Sequence, residues 1–358
     1  MNCKISLPQR LLFETGRAAF RTQVLEHKLR QLFWECTLRC NLSCRHCGSD
    51  CRKTAGLPDP PVEDLLGVLD SCPDTVERGR LLVITTGGEP LVRNDIVEVG
   101  RQIKRRGFLW GMVTNAMLLT RDKLNELVDA GLDTVAISFD GFEDEHNWMR
   151  GSDLSFKRAD AAIDYLKEQK GLMWDLITCV NQRNYADLNR LKEYLISRGV
   201  RRWRIFTVAP MGRASSDPEL LLSDDQYVNL MNFIAAVRRE GRIELNYSCE
   251  GFLGPYENIV RDHLFRCVAG VNVASILSDG SISGCLSIRS DYHQGNIHQD
   301  DFWQVWEDRF KPYRDRKWMK TDECAKCKAW RYCQGGAMHL RDGEGKILTC
   351  NYLKIQNG

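Results

Sequence analysis

The stretch "LFWECTLRCNLSCRHCGSDCRK", residues 32–53, holds five cysteines between positions 36 and 51, and the next is Cys72. Thiolates are soft ligands and good nucleophiles, so this density offers metal binding, redox exchange or disulfide pairing. Within it Cys40, Cys44 and Cys47 form C-x-x-x-C-x-x-C, a spacing that lets three thiolates wrap one compact soft-metal centre. A cubane of four irons takes four ligands, so three close cysteines leave one iron open. Cys51 stands near enough to close such a site, and a zinc ion or a disulfide pair would use the same residues.

The remaining cysteines fall into a middle group, Cys249, Cys267 and Cys285, and a late group, Cys324, Cys327, Cys333 and Cys350. Cys3, Cys72 and Cys179 stand apart and read as small buried hydrophobes or idle thiols. Fifteen cysteines in 358 residues is about 4%, below the ~8–10% of disulfide scaffolds. The N-terminal segment is broken by Arg10, Glu14, Arg17 and Arg21, and no apolar run reaches a membrane-spanning length. The expectation is a soluble cytoplasmic protein with reduced thiols used for metal or redox chemistry. A net charge of +2 gives no electrostatic case for nucleic acid or a membrane surface, and neither is expected as a partner.

A second group of chemistry-bearing residues lies between the cysteine clusters. In "TTGGEP", Gly87 and Gly88 allow backbone to approach a ligand closely, and Glu89, before Pro90, offers a carboxylate to an ammonium group. A plain connecting turn would look the same. Ser138 and Asp140 of "SFDG" could meet a ribose or merely cap a helix, and Arg150 could pair a carboxylate or sit solvated. Asn115 completes the set of candidate contacts.

The elements that must position these residues follow from periodicity. Residues 8–30 carry apolar side chains at a helical period. From 32 to about 207, the apolar runs "LFWEC", "RLLVITT", "FLWGMVT", "DTVAISF", "LMWDLITCV" and "WRIFTVA" read as strands. Helices are expected near 61–71, 92–106, 119–130, 155–169 and 185–198, with Pro61 in a first turn and Gly107, Gly131, Gly171 and Gly199 at the stops. Strict alternation predicts a parallel sheet, and six units predict an open barrel or a doubly wound sheet. A further helix at 223–240 leads into "RIELNY", after which short strands, turns and cysteines take over, so a domain boundary is placed near 240. In such architectures functional groups collect at the carboxyl ends of strands, and the cysteine loop, GGEP, Asn115, SFDG, Asn181 and "PMGR" all fall there.

The motifs "CTLRCNLSCRHC", "GGEP" and "SFDG", in this order, resemble those of the radical S-adenosylmethionine (SAM) enzymes over roughly residues 32–240. The resemblance implies a partial (β/α)6 TIM-like barrel at 32–240 behind an N-terminal helical extension at 1–31. It implies that Cys40, Cys44 and Cys47 hold a [4Fe–4S] cluster whose open iron takes the amino and carboxylate groups of SAM, with Gly87 to Pro90 at the methionine end. Reductive cleavage of SAM would then give a 5′-deoxyadenosyl radical that abstracts hydrogen from substrate, with flavodoxin or ferredoxin as a reductant of the expected type.

Residues 241–358, ending in "CAKCKAWRYCQGG" and Cys350, resemble the SPASM domain, a small cysteine-rich α+β unit that carries auxiliary iron–sulfur clusters. Cys324, Cys327, Cys333 and Cys350 supply a complete set for one cluster, although C-x-x-C thiolates also make zinc knuckles. For a second, Cys267 and Cys285 match, Gly280 lies five residues before Cys285, and Cys249 is a third candidate. Ala337 stands where many members have cysteine, so that site would have an open iron or a ligand such as His339. Leu286 replaces the aspartate of the sulfatase-maturing members, which argues against that reaction. A peptide or protein substrate is expected by analogy; the roughly 30 residues ahead of the barrel are too few for the separate peptide-binding domain some members carry, so recognition is expected to need a partner or the barrel itself. The competing expectations are a small-molecule or tetrapyrrole substrate and, outside enzymes, an iron–sulfur electron carrier or a zinc scaffold.

Overall fold

A computed structural model describes residues 5–248, 250–289 and 291–358. Seven parallel strands follow the chain: β1 (Gln31–Thr37), β2 (Leu82–Gly87), β3 (Leu109–Thr114), β4 (Thr134–Ser138), β5 (Met173–Val180), β6 (Arg202–Thr207) and β7 (Glu244–Tyr247). Each pairs in parallel with its sequence neighbour, as helical crossovers between consecutive strands require. The connecting helices include Val62–Asp70, Ile96–Arg105, Arg121–Asp129, Ser155–Glu168, Leu188–Ser197 and Asp224–Glu240, each within a few residues of its expected place. The glycines expected at helix stops take left-handed φ values of 85° (Gly107), 101° (Gly131), 87° (Gly171) and 77° (Gly199). No described helix is long and apolar enough to cross a membrane.

The parallel run does not stop at six strands. "RIELNY" forms β7 against β6, beyond residue 240, where the sequence placed its boundary. On the other edge β8 (Val273–Ile276) pairs in parallel with β1, and β9 (Ser281–Ser283) and β10 (Gly295–Asn296) extend it antiparallel. The cysteine-rich C-terminal part therefore shares one ten-stranded sheet with the rest of the chain. The N-terminal helix Leu7–Glu26 joins it from outside, its buried Phe13 meeting Phe252 and Tyr332 at ring distances of 5.9 and 5.3 Å.

Alternation along the strands divides the two faces. Trp34, Trp110 and Trp203 are fully buried in the main core with helix residues such as Leu65, Val99 and Ile234. Residues one position away, among them Phe33, Gly111 and Arg204, line a cavity of about 380 Å³ bordered by β1 through β7. The sheet thus curls around a lumen that its two unpaired ends leave open. Gly111 keeps that lumen clear, since a Cβ there would lie 2.9 Å from the Thr134 methyl. On the outer face the indole of Trp110 fills the space beside Gly100, where a Cβ would lie 2.1 Å from the ring. Gly100→Val is therefore expected to destabilise the fold by about 1–3 kcal/mol through overpacking, read as a lowered unfolding midpoint in urea.

Candidate active site

The cysteine loop starts where β1 breaks register with β2 between Glu35 and Thr37, an irregularity that re-aims the chain at the strand's carboxyl end. A bridge between Arg39 and Arg52 closes its neck, with the Cys40 amide donating to the Arg52 carbonyl at 2.8 Å. The Arg39 guanidinium and the Thr37 hydroxyl both bond Asp59, fixing that neck to the chain beyond it. Arg213, from the loop after β6, donates to the carbonyls of Cys44 at 2.7 Å and Cys51 at 3.1 Å, and its amide donates to the Cys47 carbonyl at 3.1 Å. The loop is thus held at both ends and at its centre by backbone hydrogen bonds.

Gly87 and Gly88 are required by this loop. A Cβ on Gly87, at φ +125°, would lie 2.2 Å from the Thr37 carbonyl oxygen, and one on Gly88 would lie 2.1 Å from that of Arg39. In their place the Gly88 and Glu89 amides donate to those two carbonyls at 2.7 and 3.0 Å. Cysteine loop and GGEP loop are hydrogen-bonded as one piece.

A cavity of about 170 Å³ opens between them, bounded by Cys40, Cys44, Cys47 and Cys51 and by Gly87, Gly88, Asn115, Ser138, Arg150 and Arg213. Five of the eight expected contact residues, Gly87, Gly88, Asn115, Ser138 and Arg150, meet the cysteines there. Glu89, Pro90 and Asp140 stand behind its wall. The Glu89 carboxylate is fully buried and accepts from the Leu91 amide at 3.1 Å, the Thr114 hydroxyl at 2.6 Å and the Asn115 amide at 2.7 Å. Burial raises its pKa. Where the sequence offered it to an ammonium group, the structure uses it to join the end of β2 to the end of β3. Asp140, also fully buried, accepts from Arg150 Nε at 2.6 Å and the Cys179 amide at 2.9 Å. Against the cost of burial, the Arg150 charge holds its carboxyl low.

Arg150 carries that fixed charge toward the sulfurs, with Nη1 3.8 Å from Cys44 Sγ. Asn115 Nδ2 lies 3.8 Å from Cys40 Sγ. Burial pushes the Cys40 thiol up to about 11 and raises that of Cys44, so both need positive or donor groups nearby to be held as thiolates. The Cys47 and Cys51 thiols are neighbours whose interaction lowers the Cys47 pKa and raises that of Cys51, and the Cys51 thiol donates to the Ser49 carbonyl at 4.0 Å. Cys36 is elsewhere, buried in the main core with its thiol donating to the Thr86 carbonyl at 3.2 Å.

Sequence reasoning placed the "PMGR" loop on this rim without choosing Arg213, because an arginine's role shows only in the carbonyls it reaches. His46 also lines the cavity and was missed; burial pushes its imidazole down to about 3, so it is neutral. The helix Glu143–Arg150, which delivers Arg150, was not expected at all.

In the C-terminal part, Cys324, Cys333 and Cys350 line one small cavity, and the negative charge of Cys324, Cys327 and Cys350 bears on Cys333. Cys267 and Cys285 are electrostatic neighbours. Burial raises the Cys267 thiol, but the Arg316 charge and backbone amides outweigh it and leave it below its ordinary value. Cys249 lies outside the described residues. Ala337 is buried in the apolar cluster that Cys267 packs against, so a cysteine there would be beside Cys267. His339 is half-buried, and burial pushes it down to about 4. Among the described residues no three His, Cys, Asp or Glu side chains converge to grip a single ion. Thiolates around a cubane each take a different iron and stand farther apart than the ligands of one zinc. Four thiols around an open cavity, those of Cys40, Cys44, Cys47 and Cys51, with cationic and amide donors behind them, are donors of the kind such a cluster takes.

Comparison with known proteins gives the same reading. Residues 34–195 match the model of the radical SAM superfamily, and residues 267–328 match an iron–sulfur cluster-binding domain, SPASM. The chain is 25% identical over 323 residues to the AdoMet-dependent heme synthase of Nitratidesulfovibrio vulgaris, covering 84% of this chain and 85% of that one. It is 24% identical over 310 residues to the PqqA peptide cyclase of Rhizobium meliloti (84% and 80%) and 28% identical over 313 residues to the mycofactocin maturase MftC of Mycobacterium tuberculosis (86% and 78%). The fold matches the solved structure of native anSMEcpe with bound AdoMet at a TM-score of 0.70 and 20% identity, over 92% of this chain and 95% of that one. It matches Streptococcus suis SuiB bound to S-adenosylmethionine at 0.67 and 18%, over 90% and 78%. With its motifs, its curled parallel sheet and both domain matches in place, the chain belongs to the radical SAM superfamily, as an enzyme of the SPASM subclass.

Proposed function

We propose that Cys40, Cys44 and Cys47 hold a [4Fe–4S] cluster, that SAM binds in the cavity beside them, and that the enzyme modifies a side chain of a peptide or protein threaded into the lumen. The observation that carries this reading is that Val113 lines both the cysteine cavity and the lumen, so the two spaces meet across one residue. When bound, the cluster supplies the electron that cleaves SAM to methionine and a 5′-deoxyadenosyl radical able to take hydrogen from substrate.

The protein's own residues do the rest. Arg150, held by Asp140, sets a positive charge beside Cys44. Gly87, Gly88 and Asn115 present backbone and amide groups to the methionine end, with Ser138 on the same wall. Glu89 keeps Asn115 in place by accepting its amide. In the lumen Phe33, Met112 and Ala136 give an apolar wall, and the Arg204–Asp175 and Arg202–Glu244 pairs give a charged one. A volume of about 380 Å³ is near the small end of ligand cavities and suits one or two amino-acid side chains. The PqqA peptide cyclase and MftC relatives support a peptide substrate. A second reading, a tetrapyrrole carrying carboxylates, is favoured by the heme synthase relatives and by Arg202 and Arg204.

Cys324, Cys327, Cys333 and Cys350 are proposed to hold one auxiliary cluster. Cys267 and Cys285, with Cys249, are proposed for a second, open where Ala337 stands. The electron donor is proposed to be a flavodoxin or ferredoxin.

Anaerobic reconstitution should then give about twelve irons per chain with reductive SAM cleavage, or about eight if the site lacking a cysteine at Ala337 stays empty. Zinc without cleavage would sink the proposal. Deuterium moved into 5′-deoxyadenosine from a labelled peptide rather than a labelled tetrapyrrole would decide the substrate class. A paired substitution tests the ligand set: Cys47→Ser should lose about four irons and abolish cleavage, whereas Cys51→Ser should keep both. Iron loss in Cys51→Ser would make it a fourth ligand.

A further inference from the structure

One face of the N-terminal helix Leu7–Glu26 presents Arg17, Phe20, Arg21, Val24 and Leu25, at the i, i+3, i+4, i+7 and i+8 spacing that sets side chains side by side. Across from them stand Arg266, Tyr313, Arg314 and Arg316 of the C-terminal part. Between the two walls lies a cleft of about 310 Å³ that shares no lining residue with the cysteine cavity or the lumen. Its walls carry five arginines and, among the described residues, no acid.

Like charges gathered in one cleft repel, and the acids that bear on them stand behind the walls with bonds of their own. Glu14 accepts from Arg17 at 2.8 Å and also from Arg331 at 2.9 Å. Glu257 bears on Arg266, but its oxygens accept from Arg261 and from the Leu253 and Phe265 amides. Glu307 bears on Arg314 and is bonded to His27 at 2.7 Å. Arg314 and Arg316 spend their nitrogens on neutral carbonyls, those of Gly270 at 2.9 Å and Glu307 at 2.8 Å for the first, and of Gly336 at 2.9 Å and Cys267 at 3.3 Å for the second. Burial pushes the Arg266 guanidinium down to about 10 despite Cys333 and Glu257, the charges of Arg316 and Arg17 adding to the push, and burial brings Arg314 to about 10 as well. Arg21 is exposed and makes no hydrogen bond or ion pair among the described residues.

We propose that this cleft binds the carboxylates of an acidic polypeptide segment, as a docking site separate from the reacting centre. A carboxylate accepts two parallel N–H bonds from a guanidinium fork, so glutamate and aspartate side chains match walls built of arginine. The rest of the walls, Phe20, Val24, Leu25 and Tyr313, favours a chain over a bare inorganic anion, which would leave that apolar surface against water. Leu25 is 79% exposed, so such surface is present to be covered. A volume of about 310 Å³ lies at the small end of ligand cavities and takes a short segment, not a folded domain.

That the docked segment belongs to the substrate rests on the peptide reading above; that the cleft takes an acidic chain stands on binding alone, measured without turnover. The anaerobically reconstituted full chain is titrated into a fluorescein-labelled hexapeptide of alternating glutamate and leucine, and fluorescence polarization is read. The peptide should bind, its glutamine counterpart should not, and added salt should weaken the complex. Arg21→Glu, at an exposed side chain with no bond to lose, should weaken binding about tenfold or more, and Arg17→Met should weaken it in the same direction. Arg105→Glu makes the same charge change on the helix Ile96–Arg105, which gives no residue to the cleft, and should bind as the parent does. No loss in Arg21→Glu, an equal loss in Arg105→Glu, or equal binding of the glutamine peptide would overturn the assignment. Inorganic pyrophosphate binding where the glutamate peptide does not would overturn it in favour of a small free anion. Arginine-dependent peptide binding, with deuterium reaching 5′-deoxyadenosine only from a tetrapyrrole, would uphold the cleft and refute the peptide substrate.

Discussion

The site depends on the contact between two backbones. Thr37 and Arg39 bring the cysteine loop against the end of β2, so close that only hydrogen atoms fit where Gly87 and Gly88 would otherwise carry side chains. The amides of Gly88 and Glu89 then donate to the two facing carbonyls. A thiol-rich loop has little apolar surface with which to hold a shape of its own, so its geometry is borrowed from the sheet edge. This contact makes one object of two motifs that lie about forty residues apart in the chain.

Acidic residues act in the same way, behind the site. Glu89 and Asp140 lie one loop back from the cavity and spend their oxygens on backbone amides, Thr114 and Arg150. A buried carboxylate is costly unless its oxygens are satisfied, and here the satisfaction is what orders the wall. Cationic and amide groups are left facing the sulfurs. The division suits a site meant to stabilise thiolates, because an acid facing them would raise their pKa values further.

Much of this was legible in the sequence, for identifiable reasons. The strands and their helices follow periods of 2 and 3.6, and the glycines that stop helices need left-handed φ, so elements through residue 207 could be read with small errors at their ends. Cysteine spacing and the GGEP and SFDG motifs located the site because they sit at strand ends. What failed to show has a common cause, long-range contact. β7 reads like any short strand until its pairing with β6 is known, and β8 joins β1 across more than two hundred residues. The helix Glu143–Arg150 is only eight residues long and mostly polar, so Arg150 seemed isolated from the motif ten residues before it. The bonds of Glu89 to Thr114 and Asn115, on the neighbouring strand end, show only in the folded chain.

The surplus cysteines of the first loop are separated by the same long-range contacts. Cys36 belongs to β1 with its side chain on the core face, where its thiol donates to Thr86 and burial makes a thiolate unfavourable. It is therefore removed from the cavity by strand alternation alone. Cys51 is not removed. It lines the cavity, and what holds it is its carbonyl, gripped by Arg213 as the chain turns toward the bridge at Arg52. Its thiol lies 4.0 Å from the Ser49 carbonyl, to which it donates. Strand alternation thus sets Cys36 apart from the cavity, while Cys51 stays on its wall with its carbonyl held by Arg213.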